Sequence, residues 1–188
     1  VGMMECKKAL TEADGDIDAA RDLLRSKGKA GAEKRAGRAA ADGVVASASS
    51  SSAITLIELN SETDFVARNP EFTALAHEIA QTAATHPLGS VAELMEATLA
   101  DGQTVRHKLD EVLARMRENL VLRRTAVYER GPGRVVAAYI HTVTNKIGAL
   151  VELEGDPDSQ EHQTLARAIA MHIAASKPEC VRREDVAA

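Results

Sequence analysis

Gly43-Val44-Val45-Ala46-Ser47-Ala48-Ser49-Ser50-Ser51-Ser52-Ala53-Ile54-Thr55-Leu56-Ile57-Glu58-Leu59 is the stretch on which the fold of this 188-residue chain turns. Two apolar runs flank a small polar one, which is the pattern of a β-hairpin. The serine run is too short for a domain linker and is expected to form a mobile hairpin tip. After the hairpin, Asn69-Pro70 announces a helix, with Asn as N-cap and Pro in the first turn. Phe72, Leu75, Ile79 and Ala83 then recur at helical spacing and form its inward stripe. The same order of signals returns later. Val135-Val136-Ala137 echoes Val44-Val45-Ala46, and Leu150-Val151-Glu152-Leu153 echoes Leu56-Ile57-Glu58-Leu59. Leu165-Ala166 and Ile169-Ala170 echo Leu75-Ala76 and Ile79-Ala80. Each copy is a hairpin followed by an amphipathic helix, a unit that packs one sheet face under a helix. The fold class is therefore α+β.

Between the copies, Ser90 with Glu93 forms a capping box for a short helix. A longer helix carries Val105, Leu109, Val112 and Met116 on one face. Leu122 to Tyr128 reads as a strand, and Gly131-Pro132-Gly133 breaks the chain. The second copy ends at Pro178 and a short tail, without the later helix and closing strand of the first, so the C-terminus is expected to be cut.

Upstream of Gly43 the chain reads as helix. Met3, Cys6, Leu10 and Ala13 lie on one face. Ala13-Asp14-Gly15-Asp16 ends that helix, with Gly15 suited to a left-handed conformation and Asp16 to capping the next. The next helix places Ile17, Ala20 and Leu24 on one side. Two such helices bury little surface, which predicts a further helix before Val1. From Arg25 to Arg38 the chain is basic (Arg25, Lys27, Lys29, Lys34, Arg35 and Arg38). This reads as a solvated linker helix or as a face for phosphate or a partner. The expected units are 1–40, 41–133 and 134–188, the last incomplete.

Composition narrows the function. Aromatic residues are 2% of the chain, with two Phe, two Tyr and no Trp, so the core is aliphatic. A net charge of −5 argues against a general nucleic-acid coat. Cys6 and Cys180 read as free thiols of a reducing cytosol. No apolar run reaches the ~20 residues that span a bilayer. No P-loop, dinucleotide fingerprint, nucleophile elbow or zinc-binding His pattern is present. An enzyme, a cofactor and a metal are accordingly not expected.

Ser61-Glu62-Thr63-Asp64-Phe65-Val66-Ala67-Arg68-Asn69 does not fit this background. Phe72 has a place on the helix stripe and Phe65 has none. Either Phe65 folds back as a staple, with Asp64 accepting nearby N–H groups, or the loop offers an aromatic beside a carboxylate to a partner. Met3 belongs to the buried stripe of its helix, whereas Met4, one step round, is expected to be at least partly exposed. His141, where the second hairpin turns, reads as a surface or core-edge histidine.

Gly2-Met3-Met4-Glu5-Cys6-Lys7-Lys8-Ala9-Leu10 and Ile57 to Asn69 resemble the two signatures of the bacterial elongation factor Ts family. Met171-His172-Ile173-Ala174-Ala175-Ser176-Lys177-Pro178 is similar to its second core subdomain. The resemblance runs over nearly the whole chain in one order, and TDFVARN is its most specific piece. It implies a ubiquitin-associated-like helical domain before two related α+β subdomains. It implies binding to elongation factor Tu and exchange of GDP for GTP with no chemistry of its own, in the cytoplasm. Asp64 and Phe65 match the pair that reaches the GTPase near its magnesium site. Met3 and Met4 match residues that touch a GTPase helix, and His141 matches a contact of the second subdomain. The first helix of the family's N-terminal domain, its coiled-coil protrusion and its last strand have no counterpart in this sequence. The rival readings are a helical interaction module without exchange activity and an RNA-associated factor using residues 25–38.

Overall fold

A computed structural model describes residues 2–35 and 37–186, and the side chains of these except residues 25 and 28–35. Helices α1 (Met3–Glu12) and α2 (Ile17–Arg35) come first. Asp14 and Gly15 turn the chain between them at positive φ, and Gly15 N–H donates to Leu10 O at 2.9 Å. Asp16 Oδ1 caps α2 by accepting from Asp18 and Ala19 N–H. The two helices meet where side chains are smallest, at Ala9 and Ala20, both buried. This corrects the expected stripe. Met3, Leu10 and Ile17 are exposed. Small residues allow the closest approach of the two backbones, which moves the seam to Ala9. Met3 and Leu10 lie roughly a third of a turn away from it.

The first sheet is antiparallel, in the order β1 (Asp42–Ser49), β2 (Ala53–Ser61), β3 (Val121–Glu129). Its register pairs Asp42 with Ser61 and Val44 with Leu59 across β1 and β2. Between β2 and β3 the chain forms α3 (Asp64–Ala67), α4 (Pro70–Thr85), α5 (Val91–Glu96) and α6 (Val105–Met116). Asn69 caps α4 as the sequence predicts, accepting from Glu71 N–H at 2.8 Å. Val44, Ala46, Ile57 and Leu59 form the sheet side of the core, and Phe72, Leu75 and Ile79 the helix side. Leu94, Leu99, Val105, Leu109 and Val112 close it. The serine tip is not free. Ser50 Oγ donates to Ala84 O, at the end of α4, at 2.7 Å and accepts from Ser52 and Ala53 N–H. A helix end with open carbonyls attracts such donors, so the tip is fastened to α4.

The second sheet pairs β4 (Arg134–Ile140) with β5 (Gly148–Glu154) under α7 (Gln160–Ser176), and a 3-10 turn, Arg183–Asp185, follows. Ala166 and Ala170 are fully buried, like Ala76 and Ala80 at the corresponding positions of α4. The copies diverge on the outer side of the helix. Leu75 is 3% exposed and Leu165 is 51% exposed. In the first copy Leu75 belongs to the core that Leu94 and Leu99 close. Among the described residues no helix plays that part over Leu165.

The two sheets lie face to face. A Cβ added to Gly148 would stand 2.8 Å from Ile140 Cδ1, 3.0 Å from Val45 Cγ1 and 3.1 Å from Leu56 Cδ1. A side chain there would have to push these apolar side-chain ends aside, so Gly148 lets the sheets approach closely. At the open edge of β1, Val45 N–H also donates to Asn145 O, in the turn after β4, at 2.7 Å. The layers therefore run helix, sheet, sheet, helix. No described helix is long and apolar enough to cross a membrane.

Candidate functional site

β2 ends at Ser61, which is fully buried, and Ser61 Oγ donates to Thr63 O at 2.9 Å. Thr63 is extended and its hydroxyl accepts from Val66 N–H at 3.5 Å, which starts α3. Val66 and Ala67 turn into the core. Successive residues of a helix are about 100° apart. Burying Val66 and Ala67 therefore aims Phe65 outward, and it is 84% exposed. The staple reading of Phe65 is overturned. The segment is also not the loop expected from sequence but a capped single turn, followed at Asn69 by the cap of α4. The signal was present: Thr63 stands three residues before the apolar Val66. It was obscured because Asn69-Pro70 is the stronger helix start. Asp64 pairs with Arg68 at 3.1 Å across this turn.

Glu118 holds α3 from the far side. Thr63 N–H donates to Glu118 Oε2 at 3.0 Å, and the Thr63 hydroxyl donates to Oε1 at 2.6 Å. The next residue, Asn119, is buried, and its N–H donates to Glu62 Oε1 at 2.6 Å while its side-chain amide donates to Arg38 O at 2.8 Å. The preceding residue, Arg117, is the left-handed C-cap of α6 and donates to Glu5 Oε2 at 2.9 Å. Glu5 also accepts from Gly2 N–H at 2.9 Å. That backbone donor, and then the Arg117 guanidinium, hold the Glu5 carboxyl below its usual pKa. Met3 and Met4 share this first turn of α1 and are 87% and 73% exposed.

His141 follows β4 and is half-buried. Its N–H donates to Ile147 O at 2.9 Å, and its carbonyl accepts from Asn145 N–H at 2.8 Å, closing the turn of the second hairpin. Lys146 in that turn donates to Asp42 Oδ2 at 2.8 Å. The Lys146 ammonium, and then Gly43 N–H, keep the Asp42 carboxyl below its usual pKa. Because Asp42 is paired with Ser61, the turn stands at the end of the sheet from which β2 passes into α3.

Three segments thus share one edge: the first turn of α1, the α3 turn, and the 141–147 turn. The ties Glu5–Arg117, Thr63–Glu118 and Lys146–Asp42 hold them there. Sequence reasoning named the outward side chains of this edge and missed the residues that brace it, since Arg117, Glu118 and Asn119 carry no motif. Of the basic stretch, Lys27 is paired with Glu12 at 2.5 Å and Arg38 with Glu62 at 3.6 Å. The side chains of Arg25, Lys29, Lys34 and Arg35 lie outside the described residues. Among the described residues no three His, Cys, Asp or Glu side chains gather as metal ligands.

Residues 62–188, which include α3 and the 141–147 turn, match the family model described as Elongation factor TS. The chain belongs to the elongation factor Ts family. It is similar to a relative named Elongation factor Ts from Maricaulis maris, 47% identical over 190 residues that cover 99% of this chain and 60% of the relative. A relative of the same name from Alkalilimnicola ehrlichii is 45% identical over 189 residues, covering all of this chain and 62% of its own length. One from Rhizobium meliloti is 43% identical over 190 residues, 98% of this chain and 61% of the relative. The chain therefore spans about three fifths of the length of the elongation factor Ts proteins it matches.

Proposed function

We propose that this chain acts in translation elongation, in the cytoplasm, as a guanine-nucleotide exchange factor for elongation factor Tu. It catalyses no covalent chemistry. Its units at 1–40, 41–133 and 134–188 bear on the GTPase from different sides. The observation that carries this reading is Phe65, one of only two phenylalanines, held out beside Asp64 on a capped and braced turn.

An exchange factor binds the nucleotide-free GTPase better than the GDP form, and by linkage it weakens GDP by the same factor. A nucleotide held at nanomolar Kd is bound by about 12 kcal/mol. Burying one Phe side chain contributes about 1.5–3 kcal/mol. Phe65 alone cannot expel GDP. The exposed Met3 and Met4 and the turn at His141 supply further contact, and Phe65 directs the effect to one place. That place is the wall beside the GTPase's magnesium ion. A ring wedged there displaces the segment that orders the ion's water shell, and loss of the cation leaves the phosphates uncompensated. Asp64 repels the same phosphates or accepts hydrogen bonds from the displaced segment.

The test is release of fluorescent GDP from elongation factor Tu with and without the chain. A dose-dependent acceleration supports the reading. Binding without faster release would make the chain an interaction module and refute exchange.

A further inference from the structure

The corner between α6 and β3 is tied to more of the candidate edge than any other short segment described. Arg117 reaches back to Glu5 in α1, Glu118 takes both donors of Thr63, and Asn119 joins Glu62 to the backbone of Arg38. Three consecutive residues therefore contact the helical pair, the chain entering β1 and the segment leaving β2. Arg117 adopts the left-handed conformation, φ 61°, which aims consecutive side chains in these different directions.

A turn of four residues closes few hydrogen bonds of its own. Around α3 these are Ala67 N–H to Thr63 O at 3.2 Å, Arg68 N–H to Asp64 O at 3.0 Å and Asn69 N–H to Val66 O at 2.9 Å. The capping bond from Val66 N–H to the Thr63 hydroxyl is long, at 3.5 Å. So short a helix does not hold itself. The carboxylate of Glu118, bonded to an N–H and a hydroxyl of the capping residue, restrains it from outside the turn with two bonds to a charged acceptor, which exceed neutral ones. We infer that Glu118 is a positioning residue: it touches no partner, and it fixes the orientation in which α3 presents Asp64 and Phe65. Through Arg117 the same corner ties that presentation to the first turn of α1, so the two contacts keep one spacing. This inference rests on the exchange reading for its functional consequence but not for its structural one.

Two measurements separate these. Amide hydrogen exchange on the full chain compares Glu118→Ala, Glu118→Gln and the parent. Loss of a cap-holding bond should speed exchange at Ala67 and Arg68 by about tenfold in Glu118→Ala. Protection in β1 and β2 should be unchanged, which also reports that the variant folds. Glu118→Gln retains a neutral acceptor and should fall between the two. Unchanged protection at α3 in Glu118→Ala would overturn the inference. The second measurement is the GDP-release titration. Glu118→Ala should lower the maximal stimulated rate by about tenfold while half-saturation moves less than about threefold. It should add much less in a Phe65→Ala background than in the parent. A normal maximal rate, or full additivity with Phe65→Ala, would also overturn it. Should the parent chain fail to stimulate release, the exchange reading falls, and the α3 exchange rates still decide whether Glu118 positions the turn.

Discussion

Replacing Phe65 by Ala tests the wedge directly, because the ring does nothing for its own fold. It is 84% exposed, while its neighbours Val66 and Ala67 anchor α3. Truncating it should therefore leave thermal stability within the roughly 0.5 kcal/mol of an ordinary surface change. The ring becomes useful only when a partner covers it. Full burial of a Phe side chain contributes about 1.5–3 kcal/mol. If that energy is realised only when the nucleotide site is disturbed, its loss appears in the rate of GDP release and not in ground-state affinity. At about 1.36 kcal/mol per decade, the maximal stimulated rate should fall about ten- to 150-fold. Stopped-flow release of fluorescent GDP, titrated with the chain, separates the maximal rate from half-saturation. A parallel fall in rate and affinity would refute the reasoning and reduce Phe65 to an adhesive contact. A drop in melting temperature would refute it differently, by showing that the ring packs within its own chain.

Met4→Ala should raise the dissociation constant for elongation factor Tu by about fivefold or more, with the maximal release rate unchanged, as measured by calorimetry and release kinetics; an unaltered constant would return Met4 to the ordinary surface. Ser50→Ala leaves Ala84 O and the Ser52 and Ala53 N–H groups without their shared hydroxyl. It should cost about 1 kcal/mol and lower the melting temperature by about 2–4 °C, and an unchanged melting curve would mean that the Ser50 hydroxyl is not what fastens the tip to α4, leaving that to the 3.3 Å bond from Ser52 Oγ. Asp42 has a folded pKa below its unfolded value, so its stabilising effect is complete above about pH 4–5 and is lost as pH falls through the folded value. Urea titrations of the parent and Asp42→Asn should therefore differ by up to about 1 kcal/mol near pH 6 and converge as pH falls below the ordinary carboxylate range; a constant difference would remove the Lys146 pairing as the cause.

The hairpin-and-helix repeat was legible because both periodicities are carried by burial. β2 must supply Ile57 and Leu59 to one face, and α4 must answer with Phe72, Leu75 and Ile79. The caps were legible because Asn69, Ser90 and Asp16 act on their own neighbours. The seam of α1 on α2 was not. Apolar spacing admits Met3 and Leu10 to a stripe, but the contact goes to Ala9 and Ala20, where two backbones approach most closely. Spacing reports which residues are apolar and says nothing about which of two adjacent faces meets a neighbour. The fastening of the serine tip to α4 was hidden for a related reason, since Ser50 and Ala84 meet only after the sheet has folded under the helix.

The candidate edge divides along the same line. An aromatic with no place on a helix stripe is conspicuous in a chain with two phenylalanines, so Phe65 could be singled out from sequence. What could not be read is that it stands on a helical turn rather than a loop, and that difference bears on function. A ring on a free loop must be ordered when the partner arrives, at about 0.5–1.5 kcal/mol for each immobilised side chain, in addition to the backbone cost. At its upper end the side-chain part alone equals the lower end of what burying the ring returns. Thr63 capped, Val66 and Ala67 buried and Glu118 clamped behind them remove most of that cost before binding. The contact energy of Phe65 is then left for the nucleotide site, and the importance of the residues that make this so appears only when Glu118 has folded back on Thr63, at a sequence separation of 55.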